Sequence, residues 1–473
     1  MSEFAPSTVT PLSLPQRRVA GAAGYAFLVL FAVNFLNYLD RFLLTGASNV
    51  VALELHFGID GIGYLAGAFV VVFTVATIPL GIWADRTRRK NVIAISVAIW
   101  SLATALTALA SNFFFLLISR TVLGIGEAGY SPASNAMLAD YYSQARRARI
   151  LSWLSIGFAL GIMFGIVIGG VVANIGPGSW RWGFVFTGIP GMVLAYLAWR
   201  IREPRRNEAD AEAGGLSAEA SAEAEATDST VPRSVWAQIR LLLRIKTLLV
   251  LMGMQVFAYF VLSASIVYLP TLFQQKDGFG LSSEQAGLFA GIGVAVAAIP
   301  GAILGGYLSD VLNRRYPGSR VLICGLGFLV GAPFYLLSAV VGVQTHNLWL
   351  YAIFFFATTL LLNLYVGPGG AALQDIVPPG LRATAVALVL FVGNLLGNAF
   401  APTLVGALAR ALDPTHGQHF AQQVAGLDLS LALAYTCPPV LVIAGLIGIL
   451  GARLMKGDML AAQRMSAKDA PLP

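Results

Sequence analysis

Twelve apolar runs, each long enough to cross a bilayer, constrain this chain more than any motif in it. They begin near Ala20, Gly61, Val92, Phe113, Ile150, Phe184, Thr247, Gly287, Val321, Leu348, Ala383 and Leu429; a spanning helix needs about 20 predominantly apolar residues. In hydrocarbon a helix satisfies its own backbone hydrogen bonds, which is why such runs are read as helices. The expected fold is all-α and polytopic, with twelve transmembrane helices. Only 11% of the residues are charged, against about 25% in a typical soluble domain, so each charge that does occur within a run needs a reason.

The net charge of +7 raises the question of nucleic acid, and the distribution of the cations answers it. Outside the runs, every Lys and Arg except Arg181, Lys276 and Arg410 falls in the termini or in alternate loops, as in Arg86-Thr87-Arg88-Arg89-Lys90 and Arg314-Arg315. That is the positive-inside pattern, which places both termini in the cytoplasm. No nucleic-acid partner is expected. Arg17-Arg18 ahead of the first run resembles the start of a secretory signal, but the run is long, carries Asp40-Arg41 and lacks a cleavage site, so it reads as a permanent helix.

Composition shifts most sharply after the sixth run. Residues Asn207 to Thr230 hold seven acids and no Lys or Arg, with too little apolar surface to order a packed domain. The expected organisation is an N-terminal tail over 1–19, a six-helix bundle over 20–202, a linker over 203–246 with a possible interfacial helix at 235–246, a second bundle over 247–455 and a tail over 456–473. The bundles look related. Gly81-Ile82-Trp83-Ala84-Asp85 is matched by Gly306-Tyr307-Leu308-Ser309-Asp310, and both are followed by basic residues. A duplicated six-helix unit forms a central cavity between pseudo-symmetric halves in many transporters.

Four formal charges lie inside the runs, all in the first half. Asp40 and Arg41 belong to Asn37-Tyr38-Leu39-Asp40-Arg41, and Arg120 and Glu127 lie seven residues apart on the fourth run, about two turns and 10 Å along one helix face. Charges facing lipid cost several kcal/mol, so these face a pathway or one another. The second half offers neutral polar groups instead: Gln255, Tyr259, Tyr268, Asn363, Tyr365, Asn394 and Asn398.

A buried carboxylate whose distance to an arginine changes also changes its proton affinity, which makes it a coupling device. The four histidines, His56, His346, His416 and His419, fall in loops on the far side, leaving Asp40 and Glu127 as proton carriers; permanent pairing with an arginine is the alternative for each. One proton suffices energetically: about 2.3 kcal/mol per 100 mV and about 1.4 per pH unit together sustain a gradient of a few hundred-fold. Transport would be secondary, since no phosphate-cradling Gly-rich Lys-Ser/Thr loop is present. No enzyme is indicated, because no nucleophile stands beside a His or metal ligands within the runs, and His416-Gly417-Gln418-His419 is too weak a pattern for a metal site. Cys324 and Cys437 read as small core residues. A non-transporting receptor or scaffold stays open at this point.

Small residues bear on motion. Gly157, Gly161, Gly165 and Gly169 recur every four residues on the fifth run, with Gly393 and Gly397 on the eleventh, a spacing that lets another helix approach closely. Gly367-Pro368-Gly369-Gly370 would weaken the tenth helix.

Gly81, Asp85, Arg86, Arg89 and Lys90, between the second and third runs, resemble the cytoplasmic signature of the major facilitator superfamily; Arg88 departs from it, standing where the superfamily usually has Gly. The resemblance implies a cytoplasmic gate at these residues, with Asp310 as the counterpart. Asn37 to Arg41 together with Gly124-Ile125-Gly126-Glu127-Ala128-Gly129-Tyr130-Ser131-Pro132-Ala133 resembles the spinster family, whose animal members export sphingosine-1-phosphate and lysophospholipids. What this implies is proton-coupled, alternating-access export of an amphipathic lipid-like molecule by a monomer, with no cofactor. Asp40 and Glu127 would couple protons, Arg41, Arg120, Asn37, Tyr38 and Tyr130 would surround the head group, and the neutral residues of the second half would form the opposite wall. A multidrug or organic-anion transporter is the alternative.

Overall fold

The computed structural model describes residues 14–205, 208–209, 234–313, 316, 318–378, 381–415 and 417–468. Most of the acidic linker, Arg314-Arg315 and His416 lie outside the described residues. Among the described residues, twelve helices are long and apolar enough to cross a membrane: Gly21–Glu54, Ile59–Arg86, Arg89–Thr107, Phe113–Tyr141, Arg149–Ala173, Trp180–Trp199, Lys246–Gln274, Ser283–Asn313, Ser319–Gly342, Leu348–Ile376, Arg382–Leu412 and Gly426–Gly451. They are the first to twelfth spans below. Duplication is visible in their ends: Asn112 caps the fourth span by accepting from Phe115 N, and Asn347 caps the tenth by accepting from Leu350 N.

The glycine stripe of the fifth span packs on the first. A Cβ on Gly161 would lie 2.6 Å from the Phe35 carbonyl oxygen, and one on Gly165 equally close to that of Leu39, so only glycine permits this approach. It fixes the height of the first span and hence of Asp40 and Arg41.

The first six and last six spans meet at the face opposite the chain termini. There Ser48 and Thr271 share a hydroxyl contact of 3.1 Å, Gln275 Nε2 donates to Asn49 Oδ1 at 2.9 Å, and Arg410 Nη1 donates to Asp60 Oδ2 at 2.7 Å. The eighth span approaches the fifth so closely that a Cβ on Gly287 would stand 2.9 Å from the Ile166 carbonyl oxygen. All described hydrogen bonds between the halves lie toward this face, which is the closed one.

Three spans depart from regular α-geometry. The ninth ends in a π-helical turn, Ser338–Gly342. The tenth divides into Leu348–Asn363 and Val366–Ile376. The break falls just ahead of the glycine cluster because Pro368 has no N–H for the Leu364 carbonyl. The eleventh contains a π-helical turn, Gly393–Asn398, where a Cβ on Gly393 would meet Gln255 at 2.8 Å. Such turns often sit at functional sites, and this one carries Asn394 and Asn398.

Candidate substrate and coupling site

Asp40 and Arg41 are adjacent on one helix and therefore point apart. Asp40 is fully buried, and its Oδ2 accepts from Thr104 Oγ1 at 3.4 Å. Arg41 turns toward the gap between the halves, where Nε and Nη2 donate to Glu127 Oε2 at 3.0 and 2.6 Å. Its guanidinium carbon lies 4.6 Å from the ring centres of Phe69 and Phe73 and 5.1 Å from that of Tyr38. Three rings around one cation stabilise it after its water is removed. Glu127 is enclosed behind this cage, with no side-chain exposure.

Arg120 is in a different situation. It is 3% exposed, its guanidinium carbon lies 4.8 Å from the Phe184 ring, and its Nε and Nη2 have no hydrogen-bond partner. Asp40 Oδ1 and Glu127 Oε1 are likewise without partners. A buried cation left short of acceptors is costly, and an anion entering from the adjacent cavity would supply them.

That cavity has a volume of about 330 Å³ and lies between the halves. Tyr38, Arg41 and Arg120 line one wall; Tyr259, Asn394 and Asn398 line the other, and most of the remaining lining is apolar. Asp40 and Glu127 do not line it. The arginines stand between the carboxylates and any bound molecule.

Other residues expected at the site lie elsewhere. Tyr130 packs edge-on against Trp100 and donates to the Leu30 carbonyl at 2.7 Å, inside the first bundle. Asn37 is buried facing Glu127, behind the cavity wall. Three neutral residues of the second half lie off the cavity lining and bond within the second bundle: Gln255 accepts from the Tyr365 hydroxyl, and Asn363 Nδ2 donates to Thr359 O at 2.7 Å in its own helix. Tyr268 also leaves the wall: its hydroxyl donates to Pro402 O at 2.8 Å, with Ile59 O 3.3 Å away, and it helps to close the face opposite the termini.

The signature residues lie on the face that bears the termini. Gly81, Asp85 and Arg86 end the second span, and the backbone N–H groups of Arg89 and Lys90 donate to Glu203 at 2.8 and 3.0 Å, an anion at a helix N-terminus. The Arg89 side chain pairs with Asp140, and the second half repeats the arrangement with Arg320 and Asp375; Asp310 stands 3.9 Å from Arg320. Sequence reasoning missed Asp140, Asp375 and Glu203. A single internal offset would not have found the pairs, because the spacing between the halves drifts from 225 residues at Asp85 and Asp310 to 231 at Arg89 and Arg320 and 235 at Asp140 and Asp375.

On the opposite face, Asp413, His419 and Asp428 converge. Asp413 accepts from the N–H groups of Thr415, Gly417 and His419, and His419 Nδ1 lies 2.8 Å from Asp428 Oδ2. Both Asp413 oxygens are occupied by the loop's own donors, so the cluster staples the loop.

These features define a membrane transporter with a central cavity between its two halves. The sequence matches the model of the Major Facilitator Superfamily over residues 30–402, and the chain belongs to that superfamily; it is not an enzyme. Its relatives there are spinster proteins. Protein spinster of Drosophila melanogaster is 30% identical over 86% of this chain, which spans 65% of the fly protein's length; spinster homolog 3 of Danio rerio is 28% identical, over 99% of this chain and 92% of its own. A crystal structure of a bacterial homologue of the human lysosomal transporter Spinster, inward-facing and unoccupied, superposes with a TM-score of 0.79 at 25% identity, covering 92% of this chain and 98% of that one. A D-xylose-proton symporter shares the fold, with a TM-score of 0.63 at 16% identity over 91% of this chain and 97% of its own.

Proposed function

We propose that this protein is a proton-coupled transporter that exports an amphipathic, lipid-like molecule with an anionic head across a bacterial inner membrane, the termini being cytoplasmic. In this reading the closed face is external and the described state opens inward. The observation that carries it is Arg120, buried at the cavity wall with two guanidinium nitrogens unpartnered. A phosphate or carboxylate head satisfies those donors in the fork geometry that arginine favours, while the apolar lining receives a tail.

Coupling follows from the shared position of Arg41. It now neutralises Glu127, yet it lines the same cavity as Arg120. With Arg41 on Glu127, the anion binds at Arg120 while Glu127 stays ionised. Once the anion has left on the far side, loss of the Arg41 contact lets Glu127 take a proton, which is given up to the cytoplasm when Arg41 returns, so the proton moves inward in exchange for the anion. Asp40, fully buried beside the same cluster, is the second carrier. Rocking of the two halves about the close contacts at the external end carries the loaded cavity outward. Spinster-like export of a lysophospholipid or sphingoid phosphate fits this chemistry; an organic anion without a tail would leave the apolar lining unused.

The test is pH-gradient-driven flux of a lysophospholipid in proteoliposomes, comparing wild type with Arg120→Ala and Asp40→Asn. Flux that depends on the gradient and collapses in both variants supports the proposal. Equal flux of short organic acids, uncompeted by lysolipid, sinks the lipid reading.

A further inference from the structure

The helix Val235–Leu242 ends shortly before the seventh span begins at Lys246, so chain continuity holds it at the membrane boundary. Its two sides differ. Leu242 is fully buried, Leu241 and Ile245 pack on the core of the second bundle, and Gln238 Oε1 accepts from Thr384 Oγ1 at 2.9 Å. On the other side Trp236 is 80% exposed, and Arg240, Leu243, Arg244 and Lys246 are exposed with it. Trp236, Arg240, Leu243 and Arg244 recur at helical spacing, so they form one stripe.

The chemistry of the stripe selects its partner. Arg240, Arg244 and Lys246 form no ion pair among the described residues, which leaves three cations beside an indole and a leucine. An acidic protein would match the cations and leave Trp236 and Leu243 unmatched. A neutral bilayer would do the reverse. The boundary of an anionic leaflet matches both, because indoles settle at headgroup depth and basic segments next to a span are drawn to negative lipid.

We propose that Val235–Lys246 docks on anionic phospholipid headgroups of the leaflet at the termini-bearing face, and that the Gln238–Thr384 bond passes this docking to the eleventh span. Thr384 lies near the start of that span, whose other end carries Gly406 and Arg410 of the closed face. Any rocking that moves the end near Thr384 toward the second span pulls the docked helix with it, so leaflet charge biases the two states. The inference rests on where the spans lie and not on the substrate proposed above.

The experiment uses the full chain in nanodiscs of phosphatidylcholine with or without phosphatidylglycerol, each lipid offered in brominated form to quench tryptophan. In wild type, brominated phosphatidylglycerol should quench more than brominated phosphatidylcholine at equal mole fraction. Trp236→Phe should remove that excess, and each of Arg240→Gln and Arg244→Gln should cut the preference roughly fivefold. A spin-label distance across the termini-bearing face should shift with phosphatidylglycerol in wild type and not in Thr384→Val. Quenching unchanged in Trp236→Phe, or a preference kept in Arg240→Gln/Arg244→Gln, overturns the docking. A distance shift that persists in Thr384→Val overturns the transmission.

Discussion

Arg410 and Asp60, 350 residues apart in sequence, meet at 2.7 Å and tie the last turn of the eleventh span to the first turn of the second. Each charge also complements its own helix end, a carboxylate at an N-terminus and a guanidinium at a C-terminus. Among the described residues this is the only ion pair that joins the two halves. It forms only when the face opposite the termini is closed, so it belongs to one state of the cycle.

From this pair comes the first prediction. Asp60 is 8% exposed and Arg410 56%, and a pair with one wet partner is worth about 0.2–1 kcal/mol. Arg410→Gln should therefore shift the population toward the state open at that face by up to about fivefold, and the swap Asp60→Arg/Arg410→Asp should restore part of it. Spin-label distances across that face would measure the shift; an unchanged distribution in Arg410→Gln would show that the uncharged contacts, such as Ser48 with Thr271 and Gln275 with Asn49, hold the face closed without the pair.

Arg120 should matter more for substrate than for folding. Losing a charge-assisted hydrogen bond costs about 1.5–3 kcal/mol, so Arg120→Ala should raise the half-saturating concentration of an anionic lysolipid by about tenfold to a hundredfold. The melting temperature should change less than the affinity, since Nε and Nη2 make no hydrogen bond that truncation would break and only the contact with Phe184 is lost. Arg120→Lys keeps the charge without the fork and should fall between. Wild-type affinity in Arg120→Ala would remove it from the head-group site.

Glu127→Gln separates coupling from packing. If Glu127 carries a proton, the variant should retain downhill flux but lose accumulation driven by a pH gradient. If its bond to Arg41 is only structural, coupling should persist while thermal stability drops. Flux and melting temperature measured on the same preparation distinguish the two, and Asp40→Asn run in parallel shows which carboxylate the cycle uses.

A fourth prediction concerns pH at the loop staple. The hydrogen bond to Asp428 raises the His419 pKa above its ordinary 6.5, with Asp413 adding attraction. A raised imidazole stabilises the fold while both folded and unfolded forms are protonated, and that stabilisation is lost as pH rises through the folded value. The melting temperature of wild type should thus exceed that of His419→Asn below pH 6.5, with the gap closing as the buffer becomes alkaline. A gap that widens with pH would have the wrong sign.

Much of this protein was settled by local chemistry. Twelve long apolar runs leave helices as the economical way to pair backbone groups in lipid, and the biased cations mark alternate loops as one side. The glycine period of the fifth span announced a close neighbour, and Asp40, Arg41, Arg120 and Glu127 declared themselves by their cost. Partnership was another matter. The shared helix face of Arg120 and Glu127 offered no hint that Glu127 would take Arg41 and leave Arg120 open to the cavity, because that choice depends on how the first span is rotated against the fourth. Gln255, Asn363, Tyr268 and Tyr365 looked the same in sequence as Tyr259 and Asn394; a π-turn and the packing of the second bundle sent some to the cavity and others to the core. Residue cost is a property of the chain, whereas which buried groups meet is decided by the rotation and height of whole helices, and only the tertiary structure holds that.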